Sequence, residues 1–276
     1  WERRYGFPQP GRNAHGERVY PADQVARLHR IRRLMDQGLR PGRIFAMSNT
    51  ELEARAAGTS TAAPRSALHD LALYLLKTHQ TGELRRELTQ VVVREGLYRF
   101  LTETAAPLAV LVGEAWTRGE IHVFEEHLFT EQLQAVLRQA IGQAQVASGA
   151  PRVLLSTPSG EQHGLGLLMA EAACTLEGAE CVSLGVQTPV SELLAAAIAK
   201  RPDIVALSVS ASYPAAALQE AVAALRGALP AALELWCGGA GAARLKRPPS
   251  GVRVFSDLAQ IGGALAEWRR THAEAA

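Results

Sequence analysis

The strongest constraint on this chain is a rhythm that begins near residue 150. Short apolar runs alternate with longer runs of helical spacing: Arg152–Thr157, Leu165–Gly178, Cys181–Gly185, Ser191–Lys200, Ile204–Val209, Ala215–Ala228, Leu233–Cys237, Val252–Phe255 and finally Leu258–Ala275. Strands separated by helices cannot close as hairpins, so they must run parallel, with helices on the faces of the sheet. The rhythm therefore predicts a doubly wound α/β domain, which takes ligands at the C-terminal ends of its strands.

Upstream the rhythm changes. Between Pro64 and Ala147 the apolar residues fall at helical steps, predicting helices over Leu68–Thr78, Glu83–Gly96, Leu97–Trp116 and Val123–Ala147, with Gly82, Gly96 and Gly119 near the joins. Four helices with short links make an up-down bundle the economical arrangement. Gly58-Thr59-Ser60-Thr61 reads as the linker before it. Before that linker, a turn-rich opening (Gly6, Pro8, Pro10, Gly11, Gly16) precedes a helix over Ala22–Gln37, stopped by Gly38. Pro41-Gly42 restarts the chain, and Ile44–Met47 opens another short helix.

Charge separates the first segment from the rest. Residues 1–50 hold ten Arg, no Lys and four acids, a local balance of +6, whereas the whole 276-residue chain sums to +2. An Arg-rich end on a more neutral body suits an anion, and the planar guanidinium suits phosphate and guanine. No apolar run approaches the roughly 20 uncharged residues that span a bilayer, and Trp1–Pro10 is polar rather than a signal peptide. The expectation is a soluble, cytoplasmic protein without a membrane partner. Three cysteines (Cys174, Cys181, Cys237) without C-x-x-C spacing argue against both a disulfide framework and a zinc cluster, and read as buried thiols.

The most informative loop follows the first strand of the α/β segment: Gly160-Glu161-Gln162-His163-Gly164-Leu165-Gly166. A His at the C-terminal edge of a strand can reach outward, and a nearby carboxylate can fix its tautomer and raise its basicity. Glu161 is placed to do so, while Gly164 and Gly166 let a large ligand approach the backbone. The loop resembles the cobalamin-binding signature D-x-H-x-x-G of methionine synthase and the corrinoid mutases, with Glu161 in place of Asp. Two further elements of that signature recur in order: Ser208-Val209-Ser210 where the family has S-x-L, and Gly238-Gly239 after the next strand. The resemblance implies a cobalamin bound base-off, its nucleotide tail between sheet and helix, with His163 as the lower cobalt ligand. Glu161, Gly166, Ser208, Ser210, Gly238 and Gly239 would contribute to cofactor binding. Ser210 departs from the family's Leu.

The helical segment carries a second pattern, W-x9-E-H, in Trp116, Glu126 and His127. It resembles the adenosylcobalamin-binding cap of the CarH/LitR light-dependent repressors, in which the Trp packs against the 5′-deoxyadenosyl group and the Glu hydrogen-bonds it. Light-sensing members can carry a His directly after that Trp, which ligates cobalt once the adenosyl group leaves. Here the position is Thr117, and neither His122 nor His127 is assigned the role by motif.

The first segment, Trp1–Pro8, Arg18-Val19-Tyr20 and the helix Asp23–Leu39, resembles the MerR winged-helix domain from its recognition-helix end onward. By that resemblance the first helix of the helix-turn-helix, and most of the second, precede Trp1, so the domain is expected to be truncated at its N-terminus. Arg3, Arg4, Arg12 and Arg18 are the candidates for DNA contacts; Trp1, Tyr5 and Tyr20 read as the small domain's core.

The expected fold is α/β plus all-α: a MerR-like winged-helix domain over 1–57, a four-helix-bundle cobalamin cap over 62–148 and a Rossmann-like cobalamin-binding domain with a parallel sheet over 150–276. The resemblance implies a non-enzymatic, light-sensing transcriptional repressor that binds adenosylcobalamin. It would assemble into a tetramer on double-stranded operator DNA in the dark and disassemble after Co–C photolysis. Two alternatives stand beside it: a cobalamin-sensing or partner-regulated MerR-type regulator without a light response, and a corrinoid methyl-carrier module. The basic first segment argues against the second. His15, His29, His69, His79 and His272 read as solvent-facing.

Overall fold

The computed structural model describes residues 1–36, 39, 41–52, 67–144 and 149–273. The linker expected at Gly58–Thr61, the Gly38 helix stop and the far ends of the helices expected to reach Ala147 and Ala275 lie outside the described residues. The chain divides into two compact units, Trp1–Thr81 with Leu108–Phe129, and Gly82–Pro107 with Thr130–Ala276.

The first unit opens with a single helical turn, α1 (Glu2–Tyr5), closed by Gly6 in the left-handed region at φ 68°. A two-stranded antiparallel ribbon follows, β1 (Gly11–Arg12) and β2 (Arg18–Val19), with Gly11 opposite Val19. Then come α2 (Ala22–Asp36) and α3 (Pro41–Phe45). The helix expected over Ile44–Met47 instead starts at Pro41, because proline is well suited to a first helical turn. A further helix begins beyond Ser48, where the Ser48 and Glu51 side chains cap each other's backbone amides at 3.2 and 2.8 Å. This is a capping box, present in the sequence as S-x-x-E. Ile31, Leu34, Ile44 and Leu52 are fully buried together. Phe45 stacks on Tyr5 at 4.3 Å and meets Trp1 edge-on at 5.1 Å.

Helices α4 (Ala67–Lys77) and α5 (Thr81–Glu95) match the expected spans closely. The helix expected over Leu97–Trp116 is not one regular α-helix. A short α6 (Leu97–Arg99) runs into a π-helical turn, Phe100–Ala105, before α7 (Ala106–Thr117). Pro107 explains the break. It lacks an N–H and its ring collides with the carbonyl four residues back. Just before it, the Ala106 amide reaches Leu101 rather than Thr102, a widened register that π-bulges supply. Gly119, at φ 72°, ends α7: its amide bonds to Trp116 and that of Glu120 to Ala115, both at 2.9 Å. That pair of bonds is the Schellman closure. Helix α8 (Val123–Gln143) follows.

The second unit contains the expected Rossmann-like sheet. Its strands are β3 (Gly149–Ser156), β4 (Ala179–Ser183), β5 (Ile204–Ser208), β6 (Glu234–Gly238) and β7 (Val252–Val254), in the order β4-β3-β5-β6-β7. All four pairings are parallel. Four helices connect or follow them: α9 (Leu165–Leu176), α10 (Val190–Lys200), α11 (Ala215–Ala228) and α12 (Gln260–Ala273). Val153, Leu154 and Leu155 are all fully buried, as a strand covered on both faces requires. One face packs Leu154, Val205, Leu207 and Leu235 against Leu193 of α10 and Leu218, Val222 and Leu225 of α11. Helices α9 and α12 pack against each other. Strand β4 starts two residues before the expected Cys181, directly after Gly178 at φ 75°.

Candidate functional site

Strand β3 lies between β4 and β5, and the chain leaves the sheet in opposite directions from β3 and β5. The crevice beyond their C-terminal ends is the topological switch point, where such sheets bind ligands. The loop carrying Glu161 and His163 leaves β3 there, and Val209-Ser210 leaves β5 beside it.

Glu161 ties these two exits together. Its side chain is almost fully buried, and one carboxylate oxygen accepts from the His163 amide at 3.0 Å and meets His163 Nδ1 at 2.6 Å. The other oxygen accepts from the Ser210 amide and from Ser210 Oγ, both at 2.7 Å. Burial alone would push this carboxyl up; the hydrogen bonds from His163 and Ser210 outweigh it and hold the group down at about 2. A buried anion is costly unless it is bonded in this manner. With Nδ1–H directed to a carboxylate, the imidazole's lone pair is on Nε2, and the His163 side chain is 65% exposed. This donor set, an outward imidazole backed by a buried ionised carboxylate, fits a cobalt ligand.

The loop is fixed from behind. Thr157 Oγ1 donates to the Glu161 carbonyl at 2.7 Å and accepts from the Gln187 amide at 2.8 Å. Ser156 Oγ reaches Thr188 Oγ1 at 2.7 Å, and Tyr213 OH donates to the Ser159 carbonyl at 3.1 Å. Thr157 and Tyr213 were not singled out from the sequence, because a lone Thr or Tyr carries no pattern and their roles depend on chain crossings. Gly166 belongs to the first turn of α9, where an added Cβ would lie 3.0 Å from Ser208 Oγ. Ser208 ends β5 and Gly238 ends β6. Gly239 turns the chain at φ 91°, and a Cβ there would collide with the Val209 carbonyl. Gly241 presses equally close to the Ser210 carbonyl. It was also overlooked, although its signal lay in the Gly-Gly-Ala-Gly spacing.

In the first unit, Trp116 is half-buried in the last turn of α7, Glu126 is in the first turn of α8 and His127 follows it. Glu126 is 30% exposed and its carboxylate lies 3.7 Å from His127 Nε2. The more buried carboxylate is its neighbour Glu125, at 4% exposure. Glu125 accepts from the His122 amide at 2.6 Å, capping α8, and lies 3.5 Å from His79 Nε2. His79 and His122 both flank the Phe124 ring, at 5.4 and 5.8 Å. Thr117 turns its hydroxyl back to the Glu114 carbonyl at 2.8 Å.

All four candidate DNA-binding arginines are exposed. Arg12 donates across the ribbon turn to the Gly16 carbonyl at 2.6 Å, and Arg18 pairs with Glu2 at 3.5 Å. Arg4 lies over the Tyr5 ring at 5.5 Å. Trp1, expected in the small core, is 48% exposed although its ring contacts Phe45. His79, read from the sequence as solvent-facing, is more exposed than buried but joins the Glu125 cluster. His29's side chain lies outside what the structure describes.

Residues 151–248 match the B12 binding domain family, and residues 1–49 match the MerR HTH family regulatory protein. The chain is 32% identical over 249 residues to the HTH-type transcriptional repressor CarH of Myxococcus xanthus, covering 88% of this chain and 83% of that protein. It is 31% identical over 212 residues to the HTH-type transcriptional repressor CarA of the same organism, covering 75% and 69%. Among solved structures, the monomethylamine corrinoid protein of Methanosarcina barkeri aligns with a TM-score of 0.57 at 16% identity, over 73% of this chain and 96% of that one, and shares the fold. Among the described residues no helix is long and apolar enough to cross a membrane.

Proposed function

The chain belongs to the family of CarH-type HTH transcriptional repressors, a cobalamin-binding regulator rather than an enzyme, and on that premise we propose that it is a light-sensing repressor that uses adenosylcobalamin. The observation that carries the reading is the Glu161 carboxylate, which orients His163 at the switch point of the sheet. His163 would hold cobalt, and Gly166, Ser208, Ser210, Gly238 and Gly239 would contribute to binding the rest of the cofactor. Trp116, Glu126 and His127 would form the cap over the adenosyl group. In this reading 1–57 binds DNA, 62–148 is the cap and 150–276 holds the cofactor. When bound, the cofactor supplies a cobalt–carbon bond that light cleaves.

The rest is done by the chain. With the adenosyl group in place, Trp116, Glu126 and His127 hold a conformation that assembles into a tetramer, placing several Arg-rich domains on one operator. Multivalency then raises operator affinity without new contacts per domain. Without that group these three side chains would lose their differential contacts, and the population would shift towards smaller species that release DNA.

Thr117 favours a second reading. Its hydroxyl is engaged within its own helix and offers no imidazole, so the protein would sense cobalamin itself, or a protein partner, rather than light. Size-exclusion chromatography with cobalamin absorbance separates the two. Protein loaded with adenosylcobalamin should elute as a large species in the dark and a smaller one after green light. A bound, photolysed cofactor with no change in size supports the second reading, and no retained cobalamin overturns the light-sensing and the cobalamin-sensing readings alike. His163→Ala should weaken cobalamin binding and alter its spectrum, and Trp116→Ala should impair assembly in the dark.

A further inference from the structure

Strands β3 and β4 run in step as far as Leu155 opposite Ser183, and pairing resumes where Pro158 bridges Thr188. Between those points the chain takes three steps on the β3 side and five on the β4 side, so two extra residues are pushed out of the ladder. A bulge of this kind bends the strand and re-aims a side chain, and bulges gather beside functional sites. Here Gly185 and Gln187 both adopt left-handed backbone, at φ 79° and 61°, and Val186 stands between them.

Glycine takes such a conformation freely; glutamine does not. The bulge is held by the end of β3, where the Glu161–His163 loop begins. Thr157, fully buried, accepts from the Gln187 amide through Oγ1 at 2.8 Å and from the Thr188 amide through its carbonyl at 2.9 Å. Its own amide reaches the Gly185 carbonyl at 3.3 Å, and Ser156 Oγ donates to that same carbonyl at 3.0 Å. Strain held in place by its surroundings points to use.

What the bulge delivers is an apolar side chain. Val186 is 40% exposed, and a Cβ added at Gly164 would lie 3.1 Å from its Cγ1 methyl. Val186 therefore rests against the residue that follows His163 and precedes α9, one position from the exposed imidazole. Gly164 makes room for this methyl group. A single exposed valine needs no explanation; one lifted out of its sheet by two left-handed residues and set against the cobalt-ligand loop does.

We propose that Val186 is a further cofactor-binding residue, an apolar contact for the corrin macrocycle beside His163. A corrin is a large ring edged with methyl groups, and holding it takes apolar surface as well as the polar groups that fix its orientation. His163 would supply the ligand and Val186 the surface that sheds water. The inference rests on cobalamin occupying the crevice at the Glu161–His163 loop.

The test titrates the whole apoprotein with hydroxocobalamin, followed by absorbance, beside urea denaturation of the same apoprotein. In Val186→Ala affinity should fall about tenfold, the loss for two methyl-sized groups withdrawn from an apolar contact. The spectrum of the bound cobalamin and the urea midpoint should match the parent. Val186→Thr keeps the shape of the side chain and should also weaken binding; it decides the matter if the alanine variant has a lowered midpoint. Parent-like affinity in the folded variants overturns the proposal and leaves cobalamin binding standing. Weakened binding with an altered spectrum overturns it as well, because Val186 would then act by placing His163. Failure of the parent to bind hydroxocobalamin overturns the cobalamin reading itself, and this inference with it.

Discussion

The Glu161 carboxylate meets both the backbone amide and the hydroxyl of Ser210, 49 residues further along the chain, at 2.7 Å each. The same carboxylate holds His163, so a residue at the exit of one strand sets the orientation of an imidazole at the exit of another.

Replacing Glu161 with Gln keeps the size but removes the charge that fixes the His163 tautomer. Cobalamin affinity should fall roughly 10–100-fold, the usual cost of losing the group behind a metal ligand. A spectroscopic titration of the apoprotein with hydroxocobalamin checks this. Stability should also change its pH dependence. Glu161 is held at about 2 in the folded protein, below its value in the unfolded chain. Its contribution is therefore complete above the ordinary carboxylate range and is lost as pH falls towards 2. Urea denaturation of the apoprotein should show a shallower acid decline in Glu161→Gln than in the parent.

Ser210→Ala removes one of the two bonds that Ser210 gives to Glu161 and leaves the amide bond intact. The loss should be about 1.5–3 kcal/mol, the range for a hydrogen bond to a charged group. Its effect on cobalamin affinity should be smaller than that of Glu161→Gln. An equal or larger loss in the same titration would mean that holding Glu161 is not the main contribution of the Ser210 hydroxyl.

Gly239→Ala and Gly160→Ala separate two costs. Both glycines have positive φ, 91° and 80°, but only at Gly239 would a Cβ collide with backbone, at Val209. Gly160→Ala should cost about 1–2 kcal/mol, the penalty of left-handed backbone for an L-residue. Gly239→Ala should cost well over that, roughly 3 kcal/mol or more, as read from urea midpoints.

Glu125 and Glu126 are adjacent in the sequence and opposite in kind. Glu125→Ala removes a buried helix cap and should lower stability by about 1–2 kcal/mol. Glu126→Ala should leave the melting temperature nearly unchanged while reducing retention of adenosylcobalamin in the dark. A large loss of stability in Glu126→Ala would remove it from the cap.

Arg3→Ala and Arg4→Ala should each weaken binding to DNA of any sequence and lower the slope of log affinity against log salt by about 1. Arg12→Ala and Arg18→Ala also break internal contacts, with Gly16 and Glu2. Their effects should therefore include a shift in thermal melting that Arg3→Ala lacks.

The alternation of strands and helices after residue 150 was legible because a parallel sheet imposes it on every segment. The glycines that end helices, such as Gly119, were legible because left-handed backbone restricts the choice of residue. The E-x-H loop and its pairing with the segment after β5 were legible as a pattern, but the pattern did not show that Ser210 serves Glu161. That bond depends on which strand ends are neighbours, and the order β4-β3-β5 is not written in any local spacing. Glu125 was overshadowed by the pattern of its neighbour, since burial on one side of a helix turn is decided by packing. The π-helical turn escaped because the apolar periodicity around Pro107 survives a one-residue shift of hydrogen bonding.

A parallel sheet also dictates an order of assembly. No pair among β3–β7 can form as a hairpin, and Val153 must find Ile204 across an intervening strand and two helices. Such distant pairings form slowly, because the entropy of closing the loop precedes any reward. A chain emerging as far as residue 200 already displays the whole E-x-H loop, yet it has nothing with which to grip Glu161. The hydrogen bonds that settle Glu161 behind His163 are therefore completed late in folding, only after the third strand of the sheet has docked and brought Ser210 home.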